Sequence, residues 1–133
     1  MLAHLRIARP VSALERSVAM YKAALGLQEL GRFANHAGFD GVMLGVPGAA
    51  CHFEFTSCPS HPVRPAPTAE DLWVYYLPGV VAWQAACALM LQAGFTRVGS
   101  FNPYWDQAGR SFQDHDGYRI VMQREAWATS PPT

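Results

Sequence analysis

Two short pairs of residues carry the strongest chemical potential in this chain. His4 and Arg6 stand two apart near its start, and His52 and Glu54 stand two apart further on. A spacing of two puts both members of a pair on one face of a β-strand. If the two strands lie side by side, two imidazoles, a guanidinium and a carboxylate face one cleft. The planar fork of Arg6 suits a carboxylate or another anion, with Glu54 orienting it or acting as a general base. In a second reading, His4, His52 and Glu54 supply three donors to a divalent metal, the number a catalytic site usually needs beside its open position. A third reading is structural: an Arg6–Glu54 ion pair, buried or half-buried, that neutralises itself.

Aromatic residues offer the matching apolar surface. Tyr104 and Trp105 follow Asn102 and Pro103 in a segment that reads as a loop. Large rings on a loop form a ligand wall or lid, or else a plug or a dimer contact. Tyr76 shares the strand face of Leu72, which places it toward the cleft. Trp73 and Tyr75 alternate to the other face, against the helices. His36, His61 and His115 fall in loops and a turn and read as solvated. Cys51, Cys58 and Cys87 are odd in number and form no Cys-x-x-Cys motif, so they read as small free thiols.

These residues need a scaffold, and the sequence describes one twice over. Residues 4–9 read as a strand ended by Pro10, which cannot donate to a ladder. Ser12 and Glu15 have the spacing of a capping box. Leu14, Val18, Tyr21 and Leu25 then recur on one helical face, and Gly26 is placed to stop the helix. Residues 28–33, 39–44 and 51–56 read as strands. Four prolines between Cys58 and Thr68 make a stiff connector. After it the pattern returns: a strand at 72–77, a helix at 80–93 closed by Gly94, and strands at 95–98, 110–113 and 118–123. The last two are joined by the turn Asp114-His115-Asp116-Gly117. Gly26 and Gly94 play the same role 68 positions apart (94 − 26). The division expected is a first βαβββ module over 1–58, a connector over 59–68, a second module over 69–127 and a tail over 128–133. Together they make one compact α+β domain.

Composition narrows the function classes. The 133 residues are half hydrophobic and carry no formal net charge. That argues against a nucleic-acid partner, which calls for a basic face, and leaves no polybasic membrane patch. No apolar run is long enough to span a bilayer, and Arg6 and Arg9 interrupt any signal-peptide core. The expected compartment is the cytoplasm. No glycine-rich phosphate loop sits between a strand and a helix.

The segment HLRIARPVSALERSVAMYKAALGL resembles the opening strand and helix of the vicinal-oxygen-chelate superfamily of glyoxalases, bleomycin-resistance proteins and extradiol dioxygenases. SFQDHDGYRIVMQ is similar to its closing hairpin, with His115 where proline is usual. AACHFEFTS looks like the last strand of its first half. FDGVMLGVPG, HFEFT and NPYW look like a small bacterial glyoxalase-like subgroup. The resemblance implies two βαβββ modules forming curved half-barrels around a cleft. In metal-dependent members, the first and last strands of each half supply the ligands. Those positions fall here on Arg6, Glu54, Leu72 and Val121, with offsets of 66 (72 − 6) and 67 (121 − 54).

Only Glu54 among the four can ligate; an arginine offers no lone pair. The sequence therefore favours a protein that binds a small anionic or aromatic molecule without the usual metal, and no cofactor is expected. The ligand-binding candidates are Arg6, Glu54, Tyr76, Trp105, Tyr104, His52 and His4, with Glu54 as the catalytic candidate. A diverged lyase, isomerase or dioxygenase stays open, using Arg6 and Glu54 or a divalent metal relocated to His4, His52 and Glu54. The resemblance and the wealth of apolar residues point to a homodimer.

Overall fold

A computed structural model describes residues 3–129. The chain forms β1 (Leu5–Pro10), α1 (Leu14–Leu25), β2 (Gln28–His36), β3 (Phe39–Gly45) and β4 (Cys51–Ser57). After the proline-rich connector come β5 (Leu72–Tyr76), α2 (Val80–Gln92), β6 (Thr96–Val98), the single turn α3 (Tyr104–Gln107), β7 (Gly109–Gln113) and β8 (Arg119–Gln123). Two four-stranded sheets result, ordered β1-β4-β3-β2 and β5-β8-β7-β6. In each, the first and last strands of the module run parallel, and the remaining pairs are antiparallel. This is the α+β architecture of the glyoxalase/bleomycin-resistance fold.

The registers confirm the repeat at residue level. Arg6 pairs with His52, and Leu72 pairs with Arg119. The offsets are 66 (72 − 6) and 67 (119 − 52), the same as those read along the chain. Arg6 therefore corresponds to Leu72, and Glu54 to Val121.

Local signals decide the helix ends unevenly. Gly26 adopts φ 67° and donates its N–H to the Lys22 carbonyl at 3.0 Å, closing α1 as expected. The expected capping box does not form. The N-cap is Ala13, with extended backbone and no side-chain cap. The Ser12 N–H donates instead to the Asp116 carboxylate at 3.0 Å, as does its hydroxyl, while Glu15 pairs with Arg32. A charged acceptor from across the molecule outcompetes the weaker local cap. The segment around Trp105 also differs from the expected loop. Asn102 Oδ1 accepts the Tyr104 N–H at 3.0 Å, and one helical turn follows. That turn seats on β7 at Gly109, where a Cβ would lie 2.7 Å from the Trp105 carbonyl oxygen.

One core joins both modules. Val18, Tyr21 and Ala24 of α1 meet Trp83, Cys87 and Met90 of α2, with Val42, Leu44 and Phe55 from the first sheet and Phe112, Ile120 and Met122 from the second. Trp73 stacks on Phe53 with ring centroids 3.8 Å apart. The inner sheet faces thus look toward each other, and by alternation the outer faces look away. Cys51, Cys58 and Cys87 are free thiols, two half-buried and the last buried.

Polar bonds lock the modules together at one point. The Tyr21 hydroxyl donates to Asp114 Oδ2 at 2.7 Å and accepts from Arg9. Asp114 Oδ1 also accepts the N–H groups of Asp116 and Tyr118, at 2.8 and 3.0 Å. The Arg9 guanidinium lies 4.0 Å from the Trp73 centroid and 3.9 Å from that of Tyr118, within cation–π range. The Tyr118 hydroxyl donates to the Pro10 carbonyl at 2.8 Å. Ser17 Oγ bonds His115 Nε2 at 2.8 Å, so the His115 side chain is only 7% exposed and not solvated as expected. The tertiary contact with α1 buries a turn residue that local sequence places at the surface.

Burial pushes the Tyr21 phenol well above its usual pKa, against the lowering pull of Arg9. The hydroxyl therefore stays protonated and bridges cation to anion. Tyr21→Phe leaves the ring in place and removes that bridge. Its expected cost is about 1.5–3 kcal/mol, the range for hydrogen bonds to charged groups, read as a lower urea midpoint. Asp114→Ala, which also strips two backbone partners, should lower the midpoint further.

Candidate functional site

Phe53 and Phe55 of β4 turn into the core, so His52 and Glu54 turn outward. The parallel neighbour β1 brings Arg6 to the same face, as the residue spacing anticipated. Arg6 Nη1 donates to Glu54 Oε2 at 3.1 Å, and Arg6 Nε to His52 Nε2 at 2.8 Å. His4 Nε2 meets His52 Nδ1, and the two rings lie 4.5 Å apart. All four polar candidates of the first module therefore converge. The ion pair is half-buried, with the Arg6 side chain 48% exposed and that of Glu54 11% exposed. Water reaches the cation and screens the pair.

The second sheet carries a different outer face. Leu72 and Val74 of β5, Ser111 of β7 and Arg119 of β8 line a cavity of about 420 Å³ with Ser100, Phe101, Asn102, Trp105, Ala69 and Glu70. Trp105 thus lines a cavity. Tyr104 stands beside it, ring centroids 5.0 Å apart, and is exposed. Tyr76 continues the Leu72 face at the exposed end of β5. The first-sheet cluster and this cavity share no lining residue. Within one chain, the Arg6 group and the Trp105 group occupy separate outer faces of a common core, rather than the single cleft expected to hold them all. The reason is the direction in which the two sheets pack, which residue spacing does not encode.

Sequence reasoning missed Arg119, Ser111 and the loop residues Ser100 and Phe101. Arg119 had a usable signal: it lies two residues before Val121, hence on the same strand face. Ser100 and Phe101 had none, because a loop has no periodicity.

The chemistry of the first-sheet cluster has a pH signature. Burial holds the His52 imidazole below the ordinary 6.5, helped by His4 and Arg6 and opposed by Glu54. A group whose folded pKa is depressed binds fewer protons folded than unfolded below the unfolded value. Its stabilising contribution is then complete above about pH 6.5 and is lost as pH falls through the folded pKa. NMR titration should place the His52 midpoint below 6.5. Arg6→Gln should raise that midpoint and Glu54→Gln should lower it further.

Comparison with known proteins fits this geometry. Residues 5–56 match the family model of the YycE-like N-terminal domain, and residues 70–124 that of the YycE-like C-terminal domain. The uncharacterized protein YycE of Bacillus subtilis is 40% identical over 120 residues, covering 90% of this chain and 86% of its own. The crystal structure of a YycE protein of unknown function from Bacillus subtilis superposes with a TM-score of 0.90 at 36% identity, covering 98% of this chain and 95% of that one. The trypanothione-dependent glyoxalase I of Leishmania major shares the fold at a TM-score of 0.69 and 19% identity, covering 90% of this chain and 84% of its own. The chain belongs to the YycE-like family, within the glyoxalase/bleomycin-resistance superfamily.

Proposed function

We propose that this protein binds a small anionic molecule against the first-sheet cluster, with Arg6 as the cation that recognises it. One observation carries the reading: the Arg6 guanidinium already engages both Glu54 and His52. At the place where metal-dependent relatives gather donors, this chain puts a permanent positive charge. The equivalent positions of the second module, Leu72 and Val121, are hydrocarbon. That donor set does not fit a divalent ion, because affinity needs converging lone pairs and a fixed cation repels the metal. An anion instead finds a guanidinium held in place by its neighbours.

The working unit in this reading is a homodimer. β1 is the edge strand of its sheet, and residues 3–8 are all exposed. Its apolar Leu5 and Ile7 are 57% and 40% exposed. An unpaired, partly apolar edge invites another strand. Setting the first sheet of one copy against the second sheet of its partner would bring Arg6 and Glu54 opposite Trp105, Tyr104 and Tyr76. It would also enclose the cleft that one chain leaves open. Among the described residues, no helix is long and apolar enough to cross a membrane.

A second reading has its own support. His4, His52 and Glu54 meet on one face, and a rotation of Arg6 away from them would leave three donors for a relocated divalent metal. In that reading the protein is a diverged lyase, isomerase or dioxygenase.

Light scattering should report twice the 14.6 kDa chain mass, and Ile7→Asp should halve it. A monomer at high micromolar concentration would remove the dimer. Protein purified without chelator should hold no stoichiometric metal and bind Zn²⁺, Ni²⁺, Mn²⁺ and Fe²⁺ only weakly. Stoichiometric metal that is lost in His4→Ala and Glu54→Ala would establish the second reading instead. Because Arg6 is half exposed, Arg6→Ala should cost about 1 kcal/mol or less in stability.

A further inference from the structure

The two helices of the repeat occupy equivalent places but differ on their exposed sides. With an offset of 66 (83 − 17, 87 − 21, 90 − 24), Ser17, Tyr21 and Ala24 of α1 correspond to Trp83, Cys87 and Met90 of α2, and all six are buried. The same offset matches Glu15, Arg16 and Lys22, which stand in solvent on α1, with Val81, Ala82 and Ala88, which are exposed on α2. Val81 is the extreme case, a hydrocarbon 82% exposed where α1 has a glutamate. Leu91 and Leu89 are 54% and 45% exposed. No residue from Val80 to Gln92 carries a charge. A helix that is apolar all round is normally covered, and α1 shows that the fold itself imposes no such face.

Three guanidinium groups border α2. Arg97 pairs across the ladder with Phe112, and Arg110 with Met122. Both partners belong to the core, so both arginines rise on the helix-facing side of the second sheet. Arg110 lies 4.6 Å from the Trp83 ring centroid and Arg124 5.7 Å from it, within cation–π range. Burial pushes the Cys87 thiol up while Arg110 and Arg97 pull it back, which sets those two beside the middle of the helix. Val80 and Leu91, seven residues before Cys87 and four after it, share that flank. Among the described residues, none of the three arginines lies within ion-pair distance of a carboxylate. The helix lends no residue to the second-sheet cavity or to the Arg6 cluster, so this surface is separate from both.

We propose that the exposed face of α2 docks an acidic amphipathic helix of a partner protein. Its apolar stripe covers Val81, Leu89 and Leu91, and its carboxylates meet Arg97, Arg110 and Arg124. Charge complementarity selects this occupant. The face has no acid of its own, so a second copy seated on it brings these arginines no carboxylate. A lipid surface is gripped by large apolar and aromatic side chains, whereas Ala82, Ala85 and Ala88 leave a low surface that another helix can approach closely. Guanidinium groups held beside an indole present planar forks that suit carboxylates.

The test uses a fluorescein-labelled synthetic peptide of about sixteen residues, long enough to hold a helix, with leucine and alanine along one face and glutamate beside them. Its control has glutamine at every glutamate. Fluorescence anisotropy with the whole chain should show saturable binding of the acidic peptide, and the control should bind at least about tenfold more weakly, as expected when several charge-assisted contacts are lost. Val81→Glu installs the residue type of the α1 counterpart in the first helical turn, where a carboxylate favours the helix, and should abolish binding. Arg97→Gln combined with Arg124→Gln should remove most of the preference for the acidic peptide. Lys22→Gln on α1 and Arg6→Ala on the first sheet should leave peptide binding unchanged, which separates this inference from the first-sheet reading. Equal binding of the two peptides, no saturable binding of either, or binding that survives Val81→Glu overturns the proposal. A loss of binding in Lys22→Gln as large as in the arginine variant does so too. Co-sedimentation with phosphatidylglycerol vesicles that Val81→Glu abolishes would assign the face to lipid instead. A light-scattering mass lowered by Val81→Glu would assign it to a second copy, and either result overturns the proposal.

Discussion

The fold turns on a hydroxyl. Tyr21 sits fully buried between a guanidinium and a carboxylate that come from different modules. Neither charge is tolerable in an apolar interior alone. The phenol gives each a partner, and four aromatic rings lie under the Arg9 guanidinium. Asp114 is held from its own side by two backbone N–H groups of the closing turn. The turn of the second module is thereby fastened to the helix of the first, with Ser12–Asp116, Ser17–His115 and Tyr118–Pro10 around it. A two-module chain whose halves meet through apolar surface alone could slide. Directional bonds at one end set a single orientation.

That orientation decides where chemistry can happen. Because the inner faces pack on each other, anything polar on the alternate strand positions is sent outward. The duplicated positions have diverged in character. Arg6 corresponds to Leu72 and Glu54 to Val121, so one outer face is charged and the other is lined largely by hydrocarbon and hydroxyl groups. Val121 is fully buried yet lies outside the shared core. The charge on the second face comes from Arg119, which in the repeat corresponds to His52. Each half thus keeps a basic group at the start of its last strand and differs in what surrounds it.

The superfamily fold carries many reactions, and in the reading proposed above the function of this chain rests on these outer faces. A lysine would not replace Arg6, since two of its N–H groups reach different acceptors, Glu54 and His52, along a planar fork. Glycine plays its part at Gly109, where the backbone of α3 lies against β7 too closely for a side chain. Trp105 can therefore stand over the second sheet because Gly109, four positions further on, has no Cβ.

Much of this was legible in the residues themselves. Period-two spacing identified the faces of His4, Arg6, His52 and Glu54, and the contrast between helical and strand periods described the repeated βαβββ order. The family resemblance placed Leu72 and Val121 as the counterparts of Arg6 and Glu54, their offsets matched, and the pairing register agrees. Such features are local, since strand alternation and helix periodicity follow from backbone geometry alone. The tertiary structure decided the rest. It drew Ser12 from its cap to Asp116, buried His115 against Ser17 and tied Ser100 to Asp106 beneath Trp105. It also turned the Arg6 and Trp105 groups to separate faces. Each of these depends on partners far apart in the chain, whose charge and proximity arise only once the two sheets have packed.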